Sequence, residues 1–484
     1  GGAQRIGAAI TKALHNDGYD ILLHYGQSEQ QALALQPENQ DFLFNCALLF
    51  HETGQSQLAI EYYQKIVNLG SAFNTHLLAM NCFSIFSQEE LFKLHCKWGQ
   101  ETIKNLPAKR PKTRKLNFDN TRRLRIGYVS ADFRKHSVSY FFEPLIAHHD
   151  KTKVEVYCYA NNTKEDQVTE SIKGYADHWR SITNVSDIDV VNQIHKDKID
   201  ILIDLAGHTE GHRLEVFAYK PAPLQLTWLG YPNTTGLSTI DYRLTDEQAD
   251  PELESEQCYS EKLVHLPHGF LCFQGDTSLT YEKQAPIEKQ KHITFGSFNN
   301  FTKVTHDVLK VWSEILIEVP DSKLILKSEQ LVNRSTQKNI LAIFIQHGVA
   351  TERITLLGKV ASYNDHLAMY SKIDIALDPF PYNGTTTTFE ALWMGVPTLT
   401  LKGIDHIGRV GSSILHRVGL NEFIAQDRKD YILKAKALSE NPKYLSQLRN
   451  DLREKTLDSD LCNAKQFAED FERCLLQLAM KHTV

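Results

Sequence analysis

No two cysteines in this 484-residue chain stand in a C-x-x-C spacing; the eight present (46, 82, 96, 158, 258, 272, 462 and 474) are scattered. This excludes a zinc knuckle and a thioredoxin-type motif, and it fits a reducing compartment. No apolar run approaches the ~20 residues that cross a bilayer. The first residues lack the charged and apolar regions of a signal peptide. A cytoplasmic location with no membrane partner is therefore expected. Positive charge is not in excess: the net charge is −6, so nucleic acid has no electrostatic claim as a partner. The basic segments at 109–115 and 122–125 read as solvated linker. What remains is ordinary globular composition, 42% hydrophobic and 23% charged, with length for two to four domains.

The chain opens with a glycine loop (Gly1, Gly2, Gly7), a helix-like run to Gly18 and an apolar segment at 19–25. Residues 1–27 resemble the start of a short-chain dehydrogenase. The strand that should precede the glycines is absent, and no Tyr-x-x-x-Lys pair comes later. A glycine loop with no sheet behind it does not position a dinucleotide, so no NADP site is expected. Counted from Pro37, Ala47, Phe50, Gly54, Ala59, Tyr63 and Leu69 match the tetratricopeptide spacing, in which small residues let two helices cross closely. Ala32, Leu35 and Pro37 resemble the tail of a preceding repeat. Because about three repeats are needed to bury a solenoid core, residues 74–106 are expected to cap this one and dock it onto the domain beyond residue 121. Residues 28–121 thus read as a helical region and linker.

From residue 124 the texture alternates between strands and helices. Strands are expected at 124–129, 154–159, 199–205, 224–229, 242–244 and 263–266. After a polar connection at 275–291, a second series is expected at 293–298, 323–326, 354–357, 373–377 and 398–401. Two βαβ series imply two Rossmann-like parallel-sheet domains, 122–290 and 291–484, the second carrying the terminal helices. The fold class is α/β, with the domains facing a cleft at the carboxyl ends of their strands.

The stretch 373–401 is the most informative. An apolar run leads into a turn rich in Pro, Asn and Gly, then four threonines, a helix-like segment and a second apolar run. That order puts a helix amino terminus at the mouth of a parallel sheet. Free N–H groups, the helix dipole and hydroxyls converge there, which suits a phosphate. Glu390, one turn into the helix, could reach sugar hydroxyls. A nucleotide-sugar site is the natural reading.

Five blocks extend it: residues 127–136 (GYVSADFRKH), 204–213 (DLAGHTEGHR), 221–232 (PAPLQLTWLGYP), 295–303 (FGSFNNFTK) and the stretch 373–401. From about residue 75 onward the chain resembles bacterial O-GlcNAc transferases of glycosyltransferase family 41. The resemblance implies a GT-B fold and inverting transfer of GlcNAc from UDP-GlcNAc to Ser or Thr hydroxyls of proteins, with no metal or other cofactor. It implies that Lys303 neutralises charge growing on the leaving UDP, with Asn300 beside it. Gly384, Thr385, Thr386 and Thr387 would form the phosphate loop, where Thr385 departs from the histidine of animal members. His366 would stack on uracil, the backbone at Ala361 would read the base edge, and Glu390 would bind the ribose. Tyr382, a cysteine in animal members, would line the sugar pocket, and Gly230, Tyr231 and Pro232 would turn tightly against the sugar. His136 would act as general base or orient the acceptor, and His178 would stand near it. Two D-x-D matches, at 187–189 and 458–460, sit in no strand-end loop, so no metal site is expected. The alternatives are another UDP-hexose donor, an asparagine acceptor, or a non-catalytic tetratricopeptide scaffold.

Overall fold

A computed structural model describes residues 40–66, 73–107, 111–119 and 121–483. The dehydrogenase-like segment 1–27, the repeat tail at Ala32, Leu35 and Pro37, and Leu69 lie outside the described residues.

Helices α1 (Gln40–Glu52) and α2 (Ser56–Lys65) pack as a hairpin. Ala47 and Ala59 are fully buried between them, and Tyr63 fills the space beside them. Gly54 closes the turn at φ +76°, a left-handed conformation that a side chain resists. Helices α3 (Phe73–Met80) and α4 (Gln88–Lys104) come next, the latter opened by a Ser87–Glu90 capping box. A Cβ on Gly99 would stand 2.0 Å from the carbonyl of Gly236, so α4 lies directly on the first sheet domain.

The first sheet contains β1 (Leu124–Ser130), β2 (Val154–Ala160), β3 (His178–Ser181), β4 (Ile201–Asp204), β5 (Leu224–Thr227), β6 (Tyr242–Thr245) and β7 (Lys262–His265). They run parallel in the order β3-β2-β1-β4-β5-β6-β7. The second contains β8 (Thr294–Ser297), β9 (Lys323–Lys327), β10 (Ile354–Leu357), β11 (Ile375–Leu377), β12 (Thr398–Leu401) and β13 (Ile424–Ala425). Its order is β10-β9-β8-β11-β12-β13, again parallel. Strand order reverses at β1/β4 and at β8/β11, and the loops beyond those carboxyl ends are where such sheets hold ligands.

Two features differ from the sequence expectation. Helix α5 (Ser139–His148) of the first domain is covered by a helix from far along the chain, Ala464–Lys481, which the sequence groups with the second domain. Its Phe467 and Phe471 rings pack on Trp228, and its Glu472 accepts from the Asp150 N–H at 2.7 Å and pairs with His149 at 2.9 Å. The basic linker is not simply solvated either. Arg114 and Arg122 both pair with buried Asp200, while Leu116 and Phe118 enter the core.

The domains also meet directly. His406 Nδ1 lies 2.6 Å from Asp250 Oδ2, and the Ser413 hydroxyl donates to Asp246 at 2.8 Å.

Candidate active site

After β8 the chain makes a short 3-10 turn, Phe301–Lys303, capped by Asn300, whose Oδ1 accepts from the Thr302 N–H at 3.2 Å. The turn aims Lys303 inward. Its ammonium donates to the carbonyl of Asn383 at 2.9 Å and sits 3.7 Å from the centroid of the Tyr382 ring. Burial pushes its pKa down to about 8. Tyr382 and Asn383 belong to the loop after β11, so the two switch-point loops of this domain meet at Lys303.

That second loop is fixed from within. Asp378 accepts from the Gly384 N–H at 2.6 Å and from the Thr400 hydroxyl at 2.7 Å; burial pushes its carboxyl pKa up. A Cβ on Gly384 would stand 2.4 Å from Thr387 Oγ1 and 2.8 Å from Asn299 Oδ1. Helix α6 (Thr386–Trp393) starts here, with Thr385 in the N-cap position but making no side-chain cap bond. Its hydroxyl is not spent on the helix, and the first N–H groups of a helix have no intrahelical acceptor. Thr387 Oγ1 donates to Asn299 Oδ1 at 2.7 Å. Sequence reasoning gave no role to Asn299, Asp378 or Asn383. A carboxylate ending an apolar run, as Asp378 does, was the one usable signal. A backbone carbonyl leaves none.

His366 and Glu390 face each other, with Nε2 2.9 Å from Oε2. The His366 Nδ1 is buried without a hydrogen-bond partner. Tyr370 also donates to Glu390, at 3.4 Å. The groups assigned by resemblance to base and ribose are thus neighbours in one site. Ala361 is exposed just before the Ser362 cap of the helix Tyr363–Ala368, which carries His366.

From the first domain, the loop after β1 brings His136. Its Nδ1 accepts from the Val138 N–H at 3.3 Å and lies 3.5 Å from Asp132. Burial lowers its pKa, partly opposed by Asp132. The adjoining residues reach the other domain. Lys135 lies 5.2 Å from the Tyr363 ring, and Tyr140 stacks on Tyr363 with centroids 5.7 Å apart. A cavity of about 300 Å³ between the domains is lined by Tyr140, Phe273, Tyr363, Glu390 and Trp393, among others.

The Gly230 turn is tight: a Cβ there would stand 1.9 Å from the carbonyl oxygen of Leu205. Tyr231 and Pro232 come directly after it, and Arg243 holds the turn through the Tyr231 carbonyl at 3.0 Å. The Tyr231 ring is buried. Its hydroxyl bonds to Asn81 at 3.1 Å and His95 at 2.8 Å, both in the helical region. Its side chain therefore anchors the helices rather than facing a donor.

His178 is not brought to the cleft. It opens edge strand β3, in register with Tyr157 in the middle of β2, well below the carboxyl ends. Its Nε2 pairs with Glu155 at 2.9 Å, and its ring stacks on Tyr157 at 4.1 Å. Among the described residues no group of His, Cys, Asp and Glu could hold a metal ion. Asp187, of the first D-x-D match, pairs with Arg213.

The model of "Glycosyl transferase family 41" matches residues 88–291 and 279–471. The chain belongs to glycosyltransferase family 41. Both halves of the site lie within the family match. The chain is 41% identical over 410 residues to the probable UDP-N-acetylglucosamine–peptide N-acetylglucosaminyltransferase SPINDLY of Solanum lycopersicum, covering 83% of this chain and 43% of that protein. It is 33% identical over 388 residues to the similarly described SEC of Arabidopsis thaliana, covering 78% and 39%. The chain thus spans less than half the length of these curated relatives. The solved O-GlcNAc transferase of Thermobaculum terrenum, a lysine-to-methionine mutant, superposes with a TM-score of 0.86 at 32% identity, over 94% of this chain and 87% of that one. The facing parallel sheets are the GT-B arrangement of this family.

Proposed function

We propose that the chain is an inverting glycosyltransferase that moves GlcNAc from UDP-GlcNAc to Ser or Thr hydroxyls of proteins. The observation that carries this is the meeting of Lys303 with the loop that opens α6, an ammonium beside a helix amino terminus. In this scheme Lys303 faces the donor diphosphate, and the N–H groups and hydroxyls of Thr385, Thr386 and Thr387 take its oxygens. Glu390 and His366 hold ribose and base, with Asn300 and Ala361 at the edges. The acceptor oxygen bonds to the anomeric carbon as the bond from that carbon to the β-phosphate oxygen breaks. UDP leaves with the electron pair, stabilised by Lys303 and the helix terminus. The hydroxyl proton passes to a phosphate oxygen of the departing UDP, and His136, whose Nδ1 already accepts from the Val138 N–H, orients the acceptor through its Nε2–H. We infer that these charges suffice without a divalent cation. Turnover abolished by EDTA and restored by a metal would refute that part.

The test is intact-mass analysis of a protein mixture incubated with the enzyme and UDP-GlcNAc. A gain of one N-acetylhexosamine is expected, and Lys303→Ala should lower turnover by about 10²–10³-fold with an unchanged melting temperature. A variant that keeps most activity would sink the assignment. Tyr382, which departs from animal members, favours a second reading in which the donor is another UDP-hexose. Running the same assay with a panel of nucleotide sugars separates the two. Among the described residues no two cysteines are joined by a disulfide, which supports a cytoplasmic location; cell fractionation checks it.

A further inference from the structure

We propose that the helical hairpin α1–α2 positions the catalytic lysine, with His51 as the positioning residue. The inference rests on the reading of Lys303 as the group that meets the donor diphosphate. His51, near the end of α1, is buried, and its Nε2 lies 2.7 Å from the carbonyl oxygen of Thr302. A carbonyl only accepts, so Nε2 carries the proton and donates. The opposite nitrogen, Nδ1, is buried with no partner. Burial lowers the pKa to about 4, so the ring is neutral and offers a single donor at physiological pH. Phe83 at 4.6 Å and Tyr63, edge-on at 6.2 Å, fix the ring plane.

The carbonyl it holds belongs to the peptide bond that joins Thr302 to Lys303. A peptide unit is planar, so holding its oxygen also orients the N–H and places the Cα of Lys303. The hairpin also holds the chain just beyond the turn, where the next helix begins. Ser56 Oγ, at the start of α2, accepts from the His306 N–H at 2.9 Å. Between these contacts the Phe301 ring fills the space that any side chain at Gly54 would need, only 2.9 Å from its Cβ position. The apolar cluster that the hairpin shares with the segment after α3 also reaches the other wall of the lysine site. Tyr382, whose ring lies under the ammonium, packs on the cluster that contains Tyr63, Cys82 and Phe83. The helices therefore set the lysine's backbone from one side and its aromatic neighbour from the other. A role confined to acceptor binding would require none of these contacts.

The test compares His51→Leu, which loses the donor, with His51→Gln, which keeps an N–H at similar reach, and Ser56→Ala, which loosens the chain just beyond the turn. Affinities for UDP and UMP are measured by calorimetry, and kcat and KM with UDP-GlcNAc. His51→Leu should weaken UDP binding up to about tenfold, the upper end for one neutral hydrogen bond, and lower kcat, while UMP binding holds. His51→Gln should restore most of both. Should His51→Leu fail to fold, Ser56→Ala should show the same preferential loss of UDP over UMP to a smaller degree. Equal weakening of both nucleotides would mean general damage and overturn the inference, as would unchanged UDP affinity in all three variants. Lys303→Ala is the control. If it binds UDP as tightly as the parent, the reading of Lys303 itself falls and this inference with it; if only the His51 and Ser56 variants are silent, that reading stands and the inference falls.

Discussion

Lys303 meets a carbonyl oxygen and a ring face, and no carboxylate within ion-pair distance among the described residues. Burial removes water from the charge by more than the nearby Asp378 carboxyl offsets, which is why its pKa falls to about 8. A diphosphate would supply the missing partner and hold the proton on. Above about pH 8 the free protein therefore loses this charge, and the anion is held less well. UDP affinity should drop about tenfold between pH 7 and pH 9, measured by calorimetry, and Lys303→Ala should flatten that dependence. A drop of equal size in the variant would assign the titration elsewhere. His178 makes the opposite case. Its imidazole is half-exposed and paired with Glu155 at an edge strand. His178→Gln should leave kcat within about twofold and cost under about 1 kcal/mol of stability, as weakly buried ion pairs do. Loss of turnover in an otherwise stable variant would restore it to the site.

At the scale of elements, a buried neutral histidine joins the helical region to the first sheet domain. His95 of α4 donates from Nδ1 to the Leu91 carbonyl at 2.6 Å and accepts the Tyr231 hydroxyl at Nε2, 2.8 Å away, with the ring of His208 beside it. A second proton on His95 would set two donors against each other. Burial holds its pKa down to about 4, below the ordinary 6.5. The contribution is therefore fully present above pH 6.5 and is lost as pH falls towards 4. His95 alone accounts for up to about 3 kcal/mol over that window. In urea titrations at pH 7 and pH 4.5, His95→Phe should start less stable and lose less on acidification; an equal loss would refute this. Such joints explain what the sequence exposed and what it hid. β4 and β11 announce themselves as apolar runs because both sheet faces are covered. β3 reads His-Trp-Arg-Ser, and only its neighbour β2 makes it a strand. β13 has two residues, too few for any pattern. The phosphate loop was legible because its groups succeed one another along the chain. The hold on Lys303 was not, since His51 and Thr302 are 251 positions apart and one contributes a backbone oxygen.

At the scale of the whole molecule, the first sheet domain is not complete by itself. Trp228, at the end of β5, has its indole N–H on the Phe270 carbonyl, and its rings lie against Phe467 and Phe471 of the helix Ala464–Lys481. Truncation after residue 463 should therefore damage the first domain, although the cut falls beyond the second. Removal of four buried residues (Phe467, Phe471, Leu475, Leu478) from that contact costs several times the roughly 2 kcal/mol of one buried apolar side chain. That is comparable with a domain's whole stability of about 5–15 kcal/mol. Tryptophan fluorescence and the melting curve would register it, and a truncated protein that melts like the parent would contradict the packing. The same helix also orders events on the ribosome. Every strand of both sheets is synthesised before the segment that seals the first core. The earlier-made half must wait, incompletely closed, while the later half emerges, so the two are expected to mature together rather than in sequence.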